Sequence, residues 1–154
     1  MNKLTEPLFV LGVVSLFITF ALISNAMQGA TVTDLLFALE RVESNGNESA
    51  YNEREDALGC LQIRPIMLAD YNRIYGTSFH HSEMDNRSNS HLIAIGIFHH
   101  YGKYIESSGE EITLKHLAFI WNGGGSAWKR VENTKNDQKQ KNLEIYWTKV
   151  SKYL

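Results

Sequence analysis

Apolar residues run without interruption near the start of the chain and recur with helical spacing through the rest. Residues 8–23 read LFVLGVVSLFITFALI and carry no charge. A run with no polar face does not suit a helix lying on a core; it suits a secretory signal or a membrane anchor. Lys3 and the start amine precede it, and Ser24-Asn25-Ala26 follow in the small-x-small pattern that directs cutting after Ala26. The run is slightly short of the ~17–25 residues a spanning helix needs, although Pro7 and the flanking small residues extend it. Signal and anchor both stay open for residues 1–26, and both carry the remainder across a membrane. Residues 27–32 read as a linker.

From residue 33 onward the pattern predicts helices. Thr33 or Asp34 caps a helix to Ser44, with Leu35, Leu39 and Val42 inward and Asn45-Gly46 as its stop. Residues 47–56 are polar and read as a loop; residues 57–63 are a tight apolar stretch around Gly59. Pro65 opens a second helix with Ile66, Ala69 and Ile74 inward, ended by Gly76. After a polar loop over 77–89, a third helix covers 90–105. A fourth starts near Thr113, carries Leu114, Leu117, Ala118 and Trp121, and stops at Gly123-Gly124-Gly125. Residues 132–141 are polar, charged and read as mobile. Leu143, Tyr146, Val150 and Tyr153 mark a last helix. No segment repeats and none alternates like a strand, so the class is mainly α, with one domain over residues 33–154 preceded by one N-terminal hydrophobic helix.

Composition narrows the function. With 154 residues, 44% hydrophobic and 21% charged, the chain suits a single globular domain rather than a disordered segment. A formal net charge of -2 argues against a nucleic-acid partner. Removing residues 1–26 takes away Lys3 and Glu6 and leaves that charge unchanged. Cys60 is the one cysteine, which excludes an intrachain disulfide and a multi-cysteine zinc site. The sequence places no base near it, so it reads as a small apolar residue rather than a catalytic thiol. The adjacent pairs His80-His81 and His99-His100 splay apart on a helix, His91 and His116 have no visible partner, and no His-Glu-x-x-His run occurs. No metal and no cofactor are expected. The lysines from Lys129 to Lys152 alternate with acids and amides, as on a solvated face, and could also favour an anionic cell wall.

Glu43 is the first residue that suggests chemistry. It follows Leu39 by four positions and Leu36 by seven, which puts it on or beside the apolar face at the carbonyl end of its helix. Desolvation and the helix dipole both raise the pKa of a carboxyl placed there. A carboxyl kept protonated near neutral pH can act as a general acid on a glycosidic oxygen.

Glu43-Ser44, then Ala57-Leu58-Gly59-Cys60-Leu61-Gln62-Ile63, then Ala118-Phe119-Ile120-Trp121-Asn122-Gly123-Gly124 occur in that order. The series resembles the SLT-type lytic transglycosylases, a branch of the lysozyme superfamily. They carry a Glu-Ser pair at a helix end, a Gly-Leu-x-Gln-type stretch, an aromatic-Asn-x-Gly segment and a tyrosine on a final helix, a place taken here by Tyr146. The resemblance covers roughly residues 34–154. It departs from the pattern at Cys60, where a leucine, small residue or proline is frequent, and at Trp121, where tyrosine is more common. The loop after Glu43 is also unusually charged, with Glu48, Glu53, Arg54, Glu55 and Asp56.

The resemblance implies a lysozyme-like helical domain that cleaves peptidoglycan without cofactor or metal. Glu43 would protonate the oxygen between N-acetylmuramic acid and N-acetylglucosamine, then take a proton from the muramic acid 6-hydroxyl to leave a 1,6-anhydro sugar. Tyr146 would orient Glu43. Ser44 would bond near the N-acetyl group or the carboxyl, Gln62 would offer its amide, and Gly59 would allow close approach of the glycan. Trp121 would stack on sugar, Asn122 would hold its loop and present polar atoms to the substrate, and Gly123 with Gly124 would leave room for the strand. Glycan strands are the implied partner, with the membrane through residues 8–26 if they are uncut, and with secretion, conjugation or phage assembly components. The implied location is the periplasm or cell envelope, or a virion membrane. Three alternatives stand beside it. A goose-type-like lysozyme would hydrolyse the same bond, with Glu53, Glu55 or Asp56 as base about 6.5–9.5 Å from Glu43. The others are a glycan-binding module without activity and a small membrane-active structural protein.

Overall fold

The structure, a computed structural model, describes residues 29–131 and 137–154. The chain divides into two units, Met1–Ala30 and Thr31–Leu154. The expectations for residues 1–26, a hydrophobic helix used as signal or anchor, lie outside the described residues, and the fold below is that of the second unit. Among the described residues no helix is long and apolar enough to cross a membrane.

The unit is mostly helical, as its spacing implies. Helix α1 is Val32–Glu43. It begins inside the segment expected to be a linker, because Thr31 rather than Thr33 or Asp34 caps it. The Thr31 side chain accepts from the Asp34 N–H at 3.3 Å, and the Asp34 carboxylate accepts from the Thr31 N–H at 2.7 Å. This reciprocal box satisfies two otherwise orphaned donors. The helix ends immediately after Glu43: the N–H groups of Ser44 and Gly46 both bond to the Glu40 carbonyl, and Asn45 and Gly46 take positive φ.

Residues 47–63, expected as loop and apolar stretch, hold a small hairpin. Strand β1, Tyr51–Asn52, pairs antiparallel with β2, Ala57–Leu58, in the register Tyr51 to Leu58 and Asn52 to Ala57. Two-residue strands are too short for alternation to show. Leu58 and Ile63 then exchange two backbone hydrogen bonds across a turn in which Gly59 and Gln62 have φ of 84° and 51°.

Helix α2, Pro65–Tyr75, has Pro at its start and left-handed Gly76 at its end. Its inward stripe agrees with the expected one only at Ile74. Leu68 and Tyr71 are buried and Ile74 packs beside them, but Ile66 is 75% exposed and Ala69 is also exposed. The two outward residues line a groove described below. After a 3-10 turn, His81–Asp85, α3 spans Arg87–Ser107. It starts three residues early because Asn86 caps it, accepting from the Asn89 N–H. Helix α4, Leu114–Gly123, starts where the sequence implies, with Thr113 as its cap. Leu117 to Trp121 are all buried, so α4 is enclosed by its neighbours rather than amphipathic. A 3-10 turn, Ala127–Arg130, follows. Helix α5 is Gln138–Val150, so residues 138–141, read as mobile, are helical; residues 132–136 lie outside the described set. Tyr153 falls in a closing 3-10 turn and is 54% exposed, which corrects its place in the inward stripe.

The main core gathers Leu35 and Leu39 of α1, Leu61 and Ile63 of the turn after β2, Met84 of the first 3-10 turn, Ile93 and Ile97 of α3, Ile120 of α4 and Val150 of α5. Full burial of each such side chain contributes about 1.5–3 kcal/mol. Gly59 is the tightest joint. Its φ is positive, and a Cβ there would overlap the Met84 carbonyl oxygen, a backbone atom that cannot swing away. Gly59→Ala is therefore expected to destabilise the domain by about 2–5 kcal/mol, combining left-handed strain with overpacking. Urea titration followed by circular dichroism measures it; a loss under ~0.5 kcal/mol, the range of ordinary surface changes, would contradict the packing.

Candidate active site

Glu43 stands at the last residue of α1, where the chain turns away into the hairpin. The hydroxyl of Tyr146, on α5, donates to Glu43 Oε1 at 2.6 Å. Burial pushes the Glu43 carboxyl above its ordinary value. The Tyr146 hydrogen bond, the Arg64 charge, a hydrogen bond from Trp121 and the Lys149 charge each pull it back in part. Burial and the adjacent Glu43 hold the Tyr146 phenol far above its ordinary range, so it remains a donor. This is the environment of a proton donor: a partly desolvated acid, oriented by groups that do not compete for its proton.

Glu43 lines a cavity of about 300 Å³ with Asn52, Glu55, Ala57, Gln62, Arg64, Met67, Trp121 and Asn122. Three of the expected site residues, Gln62, Trp121 and Asn122, thus share its walls. Their bonding is specific. Gln62 donates its amide hydrogens to the carbonyls of Ala50 and Gly59, at 3.1 and 3.0 Å, so its nitrogen braces the hairpin. Trp121 is only 3% exposed and meets Phe98 edge-on, with ring centroids 5.8 Å apart. It therefore offers an N–H and a ring edge, in place of the open stacking face expected from its type. Asn122 is exposed at the rim.

The other expected residues act within the fold. Ser44 donates to the Cys60 carbonyl at 2.8 Å, which fastens the end of α1 to the turn carrying Gln62. Gly59 makes its close approach to Met84, not to the cavity; Gly123, where a Cβ would press on Ala127 and Leu143, and Gly124 line the wider groove described next. Of the three acids considered as a second carboxylate, Glu55 lines the cavity and pairs with Arg64 at 3.5 Å. Asp56 accepts from the Tyr51 hydroxyl.

A wider groove of about 830 Å³ adjoins this cavity and shares Arg64, Met67 and Asn122 with it. Its floor includes Ile66, Ala69, Ile97 and Ile120, and it carries the cations Arg64, Arg73 and Lys139 with one acid, Asp70. Tyr101 and Gly125 link it to a third hollow of about 380 Å³ beside Tyr104 and Trp128. The series suits an extended chain molecule. Arg64 carries no signal in the sequence and Lys139 falls within the lysine run read as a solvated face, because surface cations show no period until the fold gathers them.

Two sequence expectations are corrected away from this groove. His91 and His116 both have partners: His91 Nε2 lies 2.7 Å from Glu40 Oε1, and His116 Nδ1 accepts from the Thr113 N–H at 3.1 Å. Cys60 does have neighbouring titratable groups, since Glu40, Cys60 and His91 cluster together. Burial foremost, with Glu40, pushes the Cys60 thiol up to about 12, so it is not a nucleophile at ordinary pH.

Compared with models of protein families, residues 21–144 match the transglycosylase SLT domain. The chain belongs to this family. The matched span of the SLT domain includes Glu43-Ser44, Gly59 through Gln62, and Trp121 through Gly123, and ends shortly before Tyr146. Membership gives the chain a lytic transglycosylase-type, peptidoglycan-acting function in general terms. Comparison with curated proteins and with solved structures gives no match.

The Tyr146 bond favours the charged form of Glu43, so its removal raises the Glu43 pKa further. For an acid that must be protonated to act, Tyr146→Phe is expected to move the alkaline limb of the pH–rate profile to higher pH. It should also lower the maximal rate through lost orientation. A turbidity assay on peptidoglycan across pH measures both; an unmoved limb would remove Tyr146 from the site.

Proposed function

We propose that the protein is a lytic transglycosylase that cuts the β-1,4 bond between N-acetylmuramic acid and N-acetylglucosamine, with Glu43 as acid and then base. The observation that carries this reading is a partly buried carboxyl, raised by burial and held by Tyr146, on the wall of a cavity that adjoins the wider groove. Protonated Glu43 gives its proton to the glycosidic oxygen as the bond from the muramic acid C1 breaks. The N-acetyl group of that sugar shares the developing positive charge. The 6-hydroxyl oxygen then bonds to C1 and its proton passes to Glu43, which returns to its starting form. No water enters, and the product is a 1,6-anhydro sugar. Arg64, Arg73 and Lys139 along the wider groove favour strands bearing acidic peptide stems over an uncharged glycan. Because that substrate lies outside the cytoplasm, the reading includes export, with residues 1–26 as signal or anchor.

One observation favours a second reading. Glu55 lines the same cavity as Glu43, and a second carboxylate there could activate water for hydrolysis. Mass analysis of soluble fragments released from purified peptidoglycan by the full chain separates the two. Anhydro-muramic ends are expected; fragments heavier by one water, with reducing ends, would overturn the transglycosylase in favour of the lysozyme.

Glu43→Gln should lower the rate at least on the order of 10²–10⁴-fold, the usual contribution of a positioned acid–base group. The fold should persist. A carboxyl whose folded pKa exceeds its unfolded value binds more protons when folded, so its cost to stability appears as pH rises through that window and persists above it. The amide removes that cost and still accepts from Tyr146. At pH 7 the variant is therefore expected to melt no lower than the parent by calorimetry. Substantial residual cleavage would sink the assignment of Glu43.

A further inference from the structure

A second cluster of reactive side chains lies outside the groove. Glu40 comes from α1, Cys60 from the turn after β2 and His91 from α3, and their donor atoms all lie within 4.8 Å of one another. Glu40 is 4% exposed and Cys60 fully buried, while the His91 side chain keeps 20% of its surface in solvent. We propose that these three side chains bind one thiophilic divalent cation of the zinc type, with water as the fourth ligand.

The donor set points to that class. One sulfur, one imidazole nitrogen and one carboxylate oxygen match the ligands zinc accepts in four-coordinate sites. Magnesium and calcium favour all-oxygen sites. The charges also balance: a thiolate and a carboxylate neutralise a divalent ion. Arg87 now donates to Glu40 Oε1 at 2.9 Å and would share that carboxylate with the cation. It has two further anchors, the Gly46 carbonyl at 2.9 Å and Glu48 at 3.0 Å, so it stays held when the metal takes a Glu40 oxygen. His91 stands at the solvent side beside the exposed ring of Phe37, which gives the ion an entry path.

Binding requires small adjustments, with the release of one proton. Nε2 of His91 now donates to Glu40; on binding, its proton moves to Nδ1 and the nitrogen lone pair turns to the metal. The 2.7 Å spacing of Nε2 and Oε1 opens, since bonds of about 2.0–2.3 Å in a tetrahedron set donors roughly 3.3–3.8 Å apart. The Cys60 thiol releases its proton to solvent, because a coordinated sulfur binds as thiolate. The ion would take no part in the reaction. It would clamp the last turn of α1, one turn before Glu43, to the turn that Ser44 already fastens through Cys60 and to α3.

The test uses the full chain in detergent, stripped of metal with a chelator. Cobalt(II), a spectroscopic stand-in for zinc, is expected to give a near-ultraviolet thiolate-to-cobalt band at one ion per chain, which zinc then abolishes. Zinc alone should raise the melting temperature by several degrees. Cys60→Ser, close in shape, should lose the band and the shift; His91→Gln should weaken binding at least tenfold. Circular dichroism confirms that the variants fold, and if Cys60→Ser does not, His91→Gln carries the test. Absence of the band in the folded parent overturns the site, as does a zinc shift that survives in His91→Gln.

Discussion

The hydroxyl of Tyr146 donates to Glu43 and so ties the last helix to the end of the first, across a separation of 103 residues. The bond depends on three conditions. Helix α1 has to stop at Glu43, which the left-handed Asn45 and Gly46 ensure. Helix α5 has to be seated against the core, through Leu143 and Val150. The intervening α4 has to be enclosed, so that Trp121 reaches the same carboxylate from the side. A partly buried acid with one fixed donor keeps its orientation without being driven to ionise. The domain therefore supplies both features a proton donor needs, position and a raised pKa.

Around that bond the polar groups nearest the cavity serve mainly as braces. Ser44 holds the turn, Gln62 holds the hairpin, and Glu40 gathers Arg87, His91 and Cys60 beneath them. Unpaired polar groups are costly when buried, so each brace is also a constraint on where the backbone can lie. Gly59 fits this scheme for a steric reason: the turn has to press its backbone onto Met84 for the braces to meet. Residues that look like substrate ligands in a motif can thus serve the substrate indirectly, by fixing the wall on which Glu43 stands.

The groove shows the opposite economy. Its floor is apolar and its cations come from separate elements, Arg64 and Arg73 from the start and end of α2 and Lys139 from the first turn of α5. Ile66 and Ala69 face it because α2 docks through Leu68 and Tyr71 instead. An amphipathic stripe tells only that one face is apolar; where two faces are, as on α2, the larger burial decides which is core and the other is left to the surface.

Local chemistry made much of this protein legible in its sequence. The helical class, the start of α4 near Thr113, the proline start and glycine end of α2, and Glu43 at a helix terminus all follow from spacing and from turn residues, which act over four positions or fewer. The order of the Glu-Ser, Gly-Leu-x-Gln-type and aromatic-Asn-Gly segments further indicated the family. The tertiary structure alone decided what distant segments do to one another. It set the burial of Trp121, the pressure of Met84 on Gly59, the outward turn of Ile66, and the meeting of Glu40, Cys60 and His91. The physical reason is range. Propensity and capping are properties of neighbours along the chain, whereas desolvation, cavity shape and side-chain partnership are set by contacts that exist only after the helices have packed.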